Sequence, residues 1–177
     1  EVHLAGSRDV MLRTVRALQL NRLYIGRGAD GRRGVLYPSP VRVEAPSEFF
    51  DTLGVSFNVD ITFVSGKADI KISKGFIPHT VAEVNSASLP AVVKTPWGPL
   101  TVAYGDTTAA PLPESIKAVV CGNQAAAHRL YDEVSVEVND KMADIVDLSM
   151  KYPSRRLGMA IVNTLMEQYI SKRSERR

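Results

Sequence analysis

The sequence predicts an α+β fold: a mostly antiparallel sheet with helices packed on one face, a C-terminal helix, and basic N- and C-terminal extensions. Two observations support this prediction. Residues 55–64 alternate apolar and polar side chains, which is typical of a strand with one buried face. From residue 123 onwards, apolar residues recur every third or fourth position, which is typical of a helix. Strands that precede helices, rather than alternating with them, favour α+β over a parallel α/β sheet.

The predicted sheet is built from hairpins. In VSFNVDITFV, the apolar residues from Val55 to Phe63 occupy one face. The next three residues, SGK, predict a tight turn, after which ADIKIS returns as the partner strand. Further strands are predicted at residues 79–84, 91–95, 100–105 and 116–120, and the sequence PWGP predicts a turn before the strand at 100–105.

Three helices are predicted. The first runs from Asp9, as its N-cap, to about Leu23. The second opens at Asn123, and its apolar spacing continues towards Ser149, although SVEV leaves open a break near residue 135. The third follows Pro153 and runs from Ser154 to about Ser171. Its predicted apolar face contains Leu157, Ala160, Ile161, Leu165, Met166 and Ile170.

Charge is distributed unevenly over three predicted regions. The first region, residues 1–50, is predicted to contain a basic helix, a Gly/Arg loop and a proline-rich arm with at most one short strand at 41–43. It has eight Lys/Arg and five Asp/Glu. The predicted α+β core, residues 51–150, has seven Lys/Arg and twelve Asp/Glu, and the C-terminal helix and tail, residues 151–177, have seven Lys/Arg and two Asp/Glu. Basic ends around an acidic body indicate nucleic-acid contact, or else simply keep the protein soluble.

The ten residues IGRGADGRRG, 25–34, satisfy the G-x-G-x-x-G pattern of a dinucleotide-binding turn. That turn requires a strand before it and a helix opening at the third glycine. Here the preceding segment is predicted to be helical, and the following RRGVLYPSP contains two prolines. We therefore predict that the glycines let a loop bend through positive backbone angles, and that its arginines contact phosphate.

The sequence contains no convincing catalytic or metal-binding pattern. Cys121 is the single cysteine, and the predicted environment is that of a small buried thiol. The three histidines lack metal-ligand spacing, and His128 is one helical turn from Asp132, which predicts a hydrogen bond between them. Pairs such as Ser56 or Ser88 with Lys94 or Lys117 have no support beyond their presence. We predict a protein that is not an enzyme and has no cofactor, metal or small-molecule substrate.

Two segments carry a family resemblance. In residues 53–84, the stretch IKISKGFIPH ends in a glycine–aromatic corner with a proline and a histidine. In residues 113–134, VVCGNQ precedes three alanines, as in a strand that ends in a glycine and a polar pair capping an alanine-rich helix. With the hairpin VKTPWGPLTV, these features resemble the C-terminal domain of the ribosomal large-subunit protein six family. The order of Pro78 and His79 is swapped relative to that family.

The resemblance implies a non-enzymatic structural subunit of a ribonucleoprotein: a mitochondrial large-ribosomal-subunit protein whose partners are ribosomal RNA and neighbouring ribosomal proteins. Such a protein would bind RNA mainly through phosphate contacts of Arg and Lys. The candidate RNA-binding residues are Arg27, Arg32, Arg33, Lys71, Lys74, Arg155, Arg156, Lys172, Arg173, Arg176 and Arg177.

Two alternatives to this function remain open. The strand-rich body, the basic arms and the nonpolar helix at 154–171 would equally suit a self-assembling structural protein such as a viral shell component, and a small serine or cysteine hydrolase is the third possibility. The segment from Met11 to Arg27 has four arginines and no acid, as in a mitochondrial presequence, or it is an ordinary amphipathic helix. The alternative locations are cytoplasm and virion. No apolar run is long enough to span a bilayer, so we predict no membrane partner.

Overall fold

The computed structural model describes residues 7–108, 111–138, 146–150 and 154–175, and it confirms the α+β class with antiparallel sheets and a C-terminal helix. The chain divides into two compact units. The strand unit is continuous and comprises residues 22–122. The helical unit combines residues 7–21 with the chain from 123 onwards, so the strand unit is inserted between two parts of the helical unit.

The elements, in chain order, are four helices and eleven strands among the described residues. The helices are α1 (Arg8–Leu18), α2 (Ser47–Thr52), α3 (Asn123–Glu133) and α4 (Arg155–Glu175). The strands are β1 (Arg22–Arg27), β2 (Arg33–Val35), β3 (Val41–Glu44), β4 (Phe57–Val64), β5 (Lys67–Lys74), β6 (His79–Ala87), β7 (Ala91–Thr95), β8 (Gly98–Tyr104), β9 (Ser115–Val120), β10 (Val134–Val138) and β11 (Val146–Met150).

The strand unit contains two antiparallel sheets. The first has the order β2-β1-β9-β4-β5-β6 and the second the order β3-β8-β7. In the first sheet, Ile61 of β4 lies opposite Ile70 of β5 and Ile116 of β9, and all three are almost fully buried. A single apolar core combines these residues with the buried valines of β3, β7 and β8, which explains why one face of each strand is apolar.

Two side chains of β1 connect the first sheet to β3 of the second. The Val43 amide donates to the Tyr24 hydroxyl oxygen at 2.8 Å, and the Arg22 guanidinium donates to the Val43 carbonyl at 2.8 Å. Arg22 also lies 4.2 Å from the centre of the Phe50 ring of α2. Burial raises the pKa of Tyr24 and lowers the pKa of Arg22. Both polar groups are therefore buried with partners, and they join the two sheets.

The helical unit packs α1 against α3 and α4. Its buried side chains include Val10, Met11 and Val15 of α1, and Leu130 of α3. On α4 the buried residues are Leu157, Gly158, Ile161, Leu165 and Tyr169. The predicted apolar face of this helix is therefore correct for Leu157, Ile161 and Leu165, but it continues to Tyr169, while Ile170 is 57% exposed.

The first predicted helix is too long. The α1 helix ends at Leu18 because Gln19 takes a left-handed conformation with φ 55°, and the chain then turns into β1. The N-cap is Ser7, whose side chain accepts from the Val10 amide, whereas Asp9 lies in the first turn. Met11 and Val15, from the stretch that resembles a presequence, are 1% exposed or less.

The short strand predicted at 41–43 is present as β3, but it does not lie in an extended arm. Its Val41 and Val43 are completely buried and pair with β8, so this segment belongs to the core. The helical spacing after residue 134 is misleading, because β10 and β11 form an antiparallel hairpin there. The alternation of apolar and polar residues in SVEV correctly indicated a strand here. Pro153 lies outside the described residues.

Candidate functional site

The stretch from Ile25 to Gly34 is a β-hairpin made by β1 and β2, not a loop, and no helix follows it. Gly31 has a φ of 77°, as predicted for a permissive glycine. Gly26 is needed for another reason, since a Cβ there would lie 3.0 Å from the Leu36 side chain and 3.3 Å from the Ser115 carbonyl oxygen. The glycines therefore serve the hairpin and its packing, without the helix N-terminus that binds a pyrophosphate.

The three arginines of this hairpin are exposed. Arg27 donates to the Gly31 carbonyl at 3.1 Å, and the Arg32 amide donates to Asp30 at 2.9 Å. Within the described part of the chain, Arg27, Arg32 and Arg33 form no ion pair. Three guanidinium groups are thus available to an anion on one hairpin.

The two lysines of the predicted RNA-binding set lie on β5, which β9 and β4 separate from β1. Lys71 is exposed and lies opposite Asp60 on β4 and Glu83 on β6, so acidic neighbours flank it on both sides. The Lys74 ammonium lies 5.9 Å from the Trp97 ring, and Lys74 pairs with His79 at the end of the hairpin. The acidic neighbours of Lys71 therefore reduce the positive charge that β5 would present to an RNA phosphate.

The remaining candidates belong to the helical unit. Arg155 and Arg156 are exposed in the first turn of α4, where the helix dipole disfavours positive charge. Lys172 is engaged within the chain, since its ammonium lies 2.6 Å from a carboxylate oxygen of Asp9. Arg173 lies in the last turn. Arg176 and Arg177 lie outside the described residues. The described candidates thus lie on the β1–β2 hairpin, on β5 and at the two ends of α4.

Among the residues considered for nucleophilic chemistry, the structure shows the surroundings of Ser88 and Cys121. Ser88 accepts from the Lys67 ammonium at 2.5 Å, a different lysine from those predicted, and both side chains are exposed. Cys121 is buried, as expected for a packed thiol. In the part of the chain that the structure describes, no cluster of three His, Cys, Asp or Glu side chains has metal-binding geometry, and no helix is long and apolar enough to cross a membrane.

The helical unit has a groove that the sequence analysis did not predict. It has a volume of about 540 Å³ and lies between the start of α1 and the exposed side of α3. Its lining is mainly apolar and includes Ala125 and Tyr131. At its edge, the predicted His128–Asp132 pair has a separation of 4.0 Å. Arg8 and Gln124 also belong to its polar lining.

Two exposed apolar surfaces are the most distinctive features of the described chain. The first is the assembly face, which we define as the α4 side chains Met159, Val162, Met166 and Ile170. The second is the apolar tip, residues 75–78 between β5 and β6, where Phe76 and Ile77 are 103% and 83% exposed. The sequence contained a signal for each surface. The predicted helix has apolar residues on more than one face, and two large apolar residues are adjacent in a turn.

Neither a comparison with protein-family models nor a comparison with curated protein sequences finds a match for this chain. Its function must therefore be inferred from the surfaces described above.

Proposed function

We propose that the protein is a non-enzymatic structural subunit that assembles with further copies of itself through the assembly face of α4. The observation that supports this proposal is the distribution of apolar residues around that helix. A helix at the surface of a globular protein normally has one apolar stripe, which faces the core. The α4 helix has a buried stripe from Leu157 to Tyr169 and a second, solvent-facing stripe from Met159 to Ile170.

The second stripe borders the buried one and extends it around the helix towards solvent. Leu157, Ile161 and Leu165 follow one another every fourth residue on the buried side. At about 100° per residue, Met159 and Ile170 project towards solvent, and each is 57% exposed. Val162 and Met166 lie between them and are half-buried. Spacings of three and four residues are those by which helices pack against other helices.

A second copy of the chain is the partner that this stripe fits best. Its four residues lie almost symmetrically about the middle of α4, so an antiparallel second α4 would place Met159 against Ile170 and Val162 against Met166. Such a contact uses the same patch on both subunits, which is the commonest arrangement in homodimers. Apolar side chains that are exposed in a single copy would then be removed from water, which is favourable.

Light scattering after size-exclusion chromatography, over a wide range of protein concentration, tests this proposal. The wild-type chain should form oligomers. Because a glutamate buried in an apolar contact is strongly unfavourable, Met159→Glu with Ile170→Glu should raise the dissociation constant about 30-fold or more. Ser171→Glu is the control for Ile170→Glu alone, since each adds one charge to an exposed position of α4 and only Ser171→Glu should leave assembly unchanged.

A monomeric wild-type chain at every concentration would refute the proposal. So would a double variant that still assembles like the wild type. The helix signal in circular dichroism and the urea midpoint of each variant show whether the fold is retained, and both replaced side chains are sufficiently exposed for us to expect that it is.

A second candidate function follows from the arginine hairpin. Its three unpaired guanidinium groups support RNA binding, in line with the resemblance to the ribosomal family and with a location in mitochondria. In this function, replacing Arg27, Arg32 and Arg33 by glutamate should abolish retention of RNA, and wild-type binding should weaken steeply with salt. A wild-type chain that elutes without RNA and ignores added RNA would leave self-assembly as the only candidate.

A further inference from the structure

The apolar tip between β5 and β6 is the most exposed apolar feature of the described chain. Phe76 is fully exposed and its neighbour Ile77 is 83% exposed, whereas isolated surface apolar residues elsewhere are about half covered. The tip follows two long, paired strands, and Gly75 turns the chain with a φ of 99°. Pro78 limits the backbone on the other side of the tip. Two large apolar side chains are thus held in water by a regular hairpin.

Basic groups lie immediately behind the tip. Lys74 and His79 form the last pair of the β5–β6 ladder, so they flank the apolar residues on both strands. Between residues 70 and 82 the chain contains no acidic side chain, and the first acid on β6 is Glu83, opposite Lys71. Along the hairpin, apolar residues therefore lie at the end and basic residues lie at the base of the tip. Acidic and basic residues occur together only farther from the tip.

We propose that the apolar tip inserts into the interface of a lipid bilayer that carries anionic headgroups. The tip extends roughly 7 Å beyond the last paired residues at about 3.3 Å per residue, which matches the 5–10 Å to which interfacial protein segments bury their apolar face. Aromatic and aliphatic side chains enter the acyl boundary, while Lys74 and His79, the last paired residues behind the tip, lie at the depth of the headgroups. This proposal concerns the lipid interface, whereas the sequence-based prediction of no membrane partner depended on the absence of an apolar run long enough to span a bilayer.

A lipid surface fits this tip better than a protein pocket does. A docking residue for a protein normally has polar groups around it that satisfy directional hydrogen bonds of the partner. Here Phe76 and Ile77 stand alone at the end, and the formal charge directly behind them is that of Lys74. Non-directional apolar burial combined with attraction to many equivalent anions is what a bilayer offers. The inference rests on the strand unit alone and does not depend on assembly through α4.

Vesicle binding by the full chain is the test. The probes are phosphatidylcholine vesicles with and without a substantial fraction of phosphatidylserine, and bound protein is measured by flotation. We expect binding to the mixed vesicles and weaker binding to phosphatidylcholine alone. Phe76→Ser with Ile77→Ser should reduce the partition coefficient about 100-fold or more, because two apolar side chains lose their burial. Lys74→Gln with His79→Gln should reduce only the advantage of anionic lipid.

The other end of β5 offers a matched control. Val64 is 55% exposed and pairs with Lys67 at the end of the β4–β5 hairpin, so Val64→Ser removes an exposed apolar group beside a lysine. This variant should bind vesicles like the wild type. In addition, Phe76→Trp places a fluorophore at the tip, and lipids brominated in their acyl chains should quench its emission if the tip is inserted.

Three results would overturn the proposal. The first is the absence of wild-type binding to either vesicle, and the second is binding that the tip substitutions leave unchanged. The third is a change of oligomeric state in a tip variant, when neither the wild type nor any variant binds lipid. That result would show that the tip contacts protein. Quenching should persist in the Met159→Glu/Ile170→Glu background, so a failure of self-assembly is distinguishable from a failure of membrane binding.

Discussion

The strand unit and the helical unit are held together in different ways. In the strand unit, most neighbouring strands are also neighbours in the sequence, and their apolar faces form one core between two sheets. In the helical unit, α1 and α4 come from opposite ends of the described chain. A small apolar core and a charged cluster join them: Asp9 contacts Arg13 and Lys172, and Arg13 forms a two-bond ion pair with Glu175 at 3.0 Å.

This difference indicates where each unit can interact with partners. The strand unit covers its apolar side chains with its own second sheet, and Phe76 and Ile77 at its tip are the main exceptions. The helical unit covers one side of α4 and leaves the adjoining stripe, with Met159 and Ile170, in water. The helical stripe is the better candidate for assembly, because its apolar residues have the spacing of three and four by which helices pack against one another.

The largest expected effect comes from the core of the strand unit. Ile61→Ala should lower the free energy of unfolding by about 2–5 kcal/mol, since it deletes a completely buried side chain between Ile70 and Ile116. Urea unfolding followed by circular dichroism measures the loss. Hydrogen exchange should accelerate most in β4, β5 and β9, where the cavity would form.

Leu165→Ala provides the comparison in the helical unit. Leu165 is also completely buried, so the energetic cost is of the same order, about 2–5 kcal/mol. The accelerated exchange should instead appear in α1 and α4. If either substitution accelerated exchange equally throughout both units, the distinction between two separately packed cores would be wrong.

A smaller effect is expected at the link between the two sheets. Tyr24→Phe removes the acceptor of the Val43 amide, and an amide left unpaired in the interior costs about 1–3 kcal/mol. Thermal unfolding measures the cost. Phe63→Leu is a useful control, because Phe63 is half-buried on the same sheet and makes no such bond. Equal stability of the Tyr24→Phe variant and the wild type would mean that a water molecule accepts from the Val43 amide in place of the Tyr24 hydroxyl.

The strands of the first sheet could largely be predicted from the sequence because their pattern is local. Alternation over a few residues gave β4, and a Ser-Gly turn gave its pairing with β5. The region from Gln19 to Glu44 could not be predicted in the same way. There, the left-handed Gln19 ends α1, and the burial of Val41 and Val43 depends on β8, which is about sixty residues away in the chain.

The candidate surfaces were less predictable than the fold. The arginines of the β1–β2 hairpin were identified, but the sequence could not show that Lys172 is already engaged by Asp9, 163 residues away. Two residues of the exposed stripe on α4, Met166 and Ile170, were predicted to lie on the buried face. Their helical spacing is compatible with the buried residues as well as with the exposed ones. Which apolar residues of a helix face the core depends on its partners, and α1 is the partner here.

The smallest expected effect concerns pH and the ion pairs between α1 and α4. Lys172 and Arg13 hold the pKa of Asp9 below its ordinary value, and Arg13 lowers the pKa of Glu175. A carboxylate with a lower pKa in the folded state contributes stability that is complete above its unfolded pKa, about 4, and is lost as the pH falls through its folded pKa. Exchange protection of α1 and α4 should therefore decrease below about pH 4, and that of β4 should decrease less.

Asp9→Asn separates this contribution from general acid effects. Because Asp9 is 45% exposed, we expect a loss of only about 0.2–1 kcal/mol at neutral pH. The variant should also lose part of the pH dependence of α1 and α4, since one of the two carboxylates no longer titrates. High salt should reduce the difference between variant and wild type, because surface ion pairs are screened. An unchanged pH profile in the Asp9→Asn variant would mean that the apolar contacts alone hold the two ends of the chain together, so that the helical unit would resemble the strand unit after all.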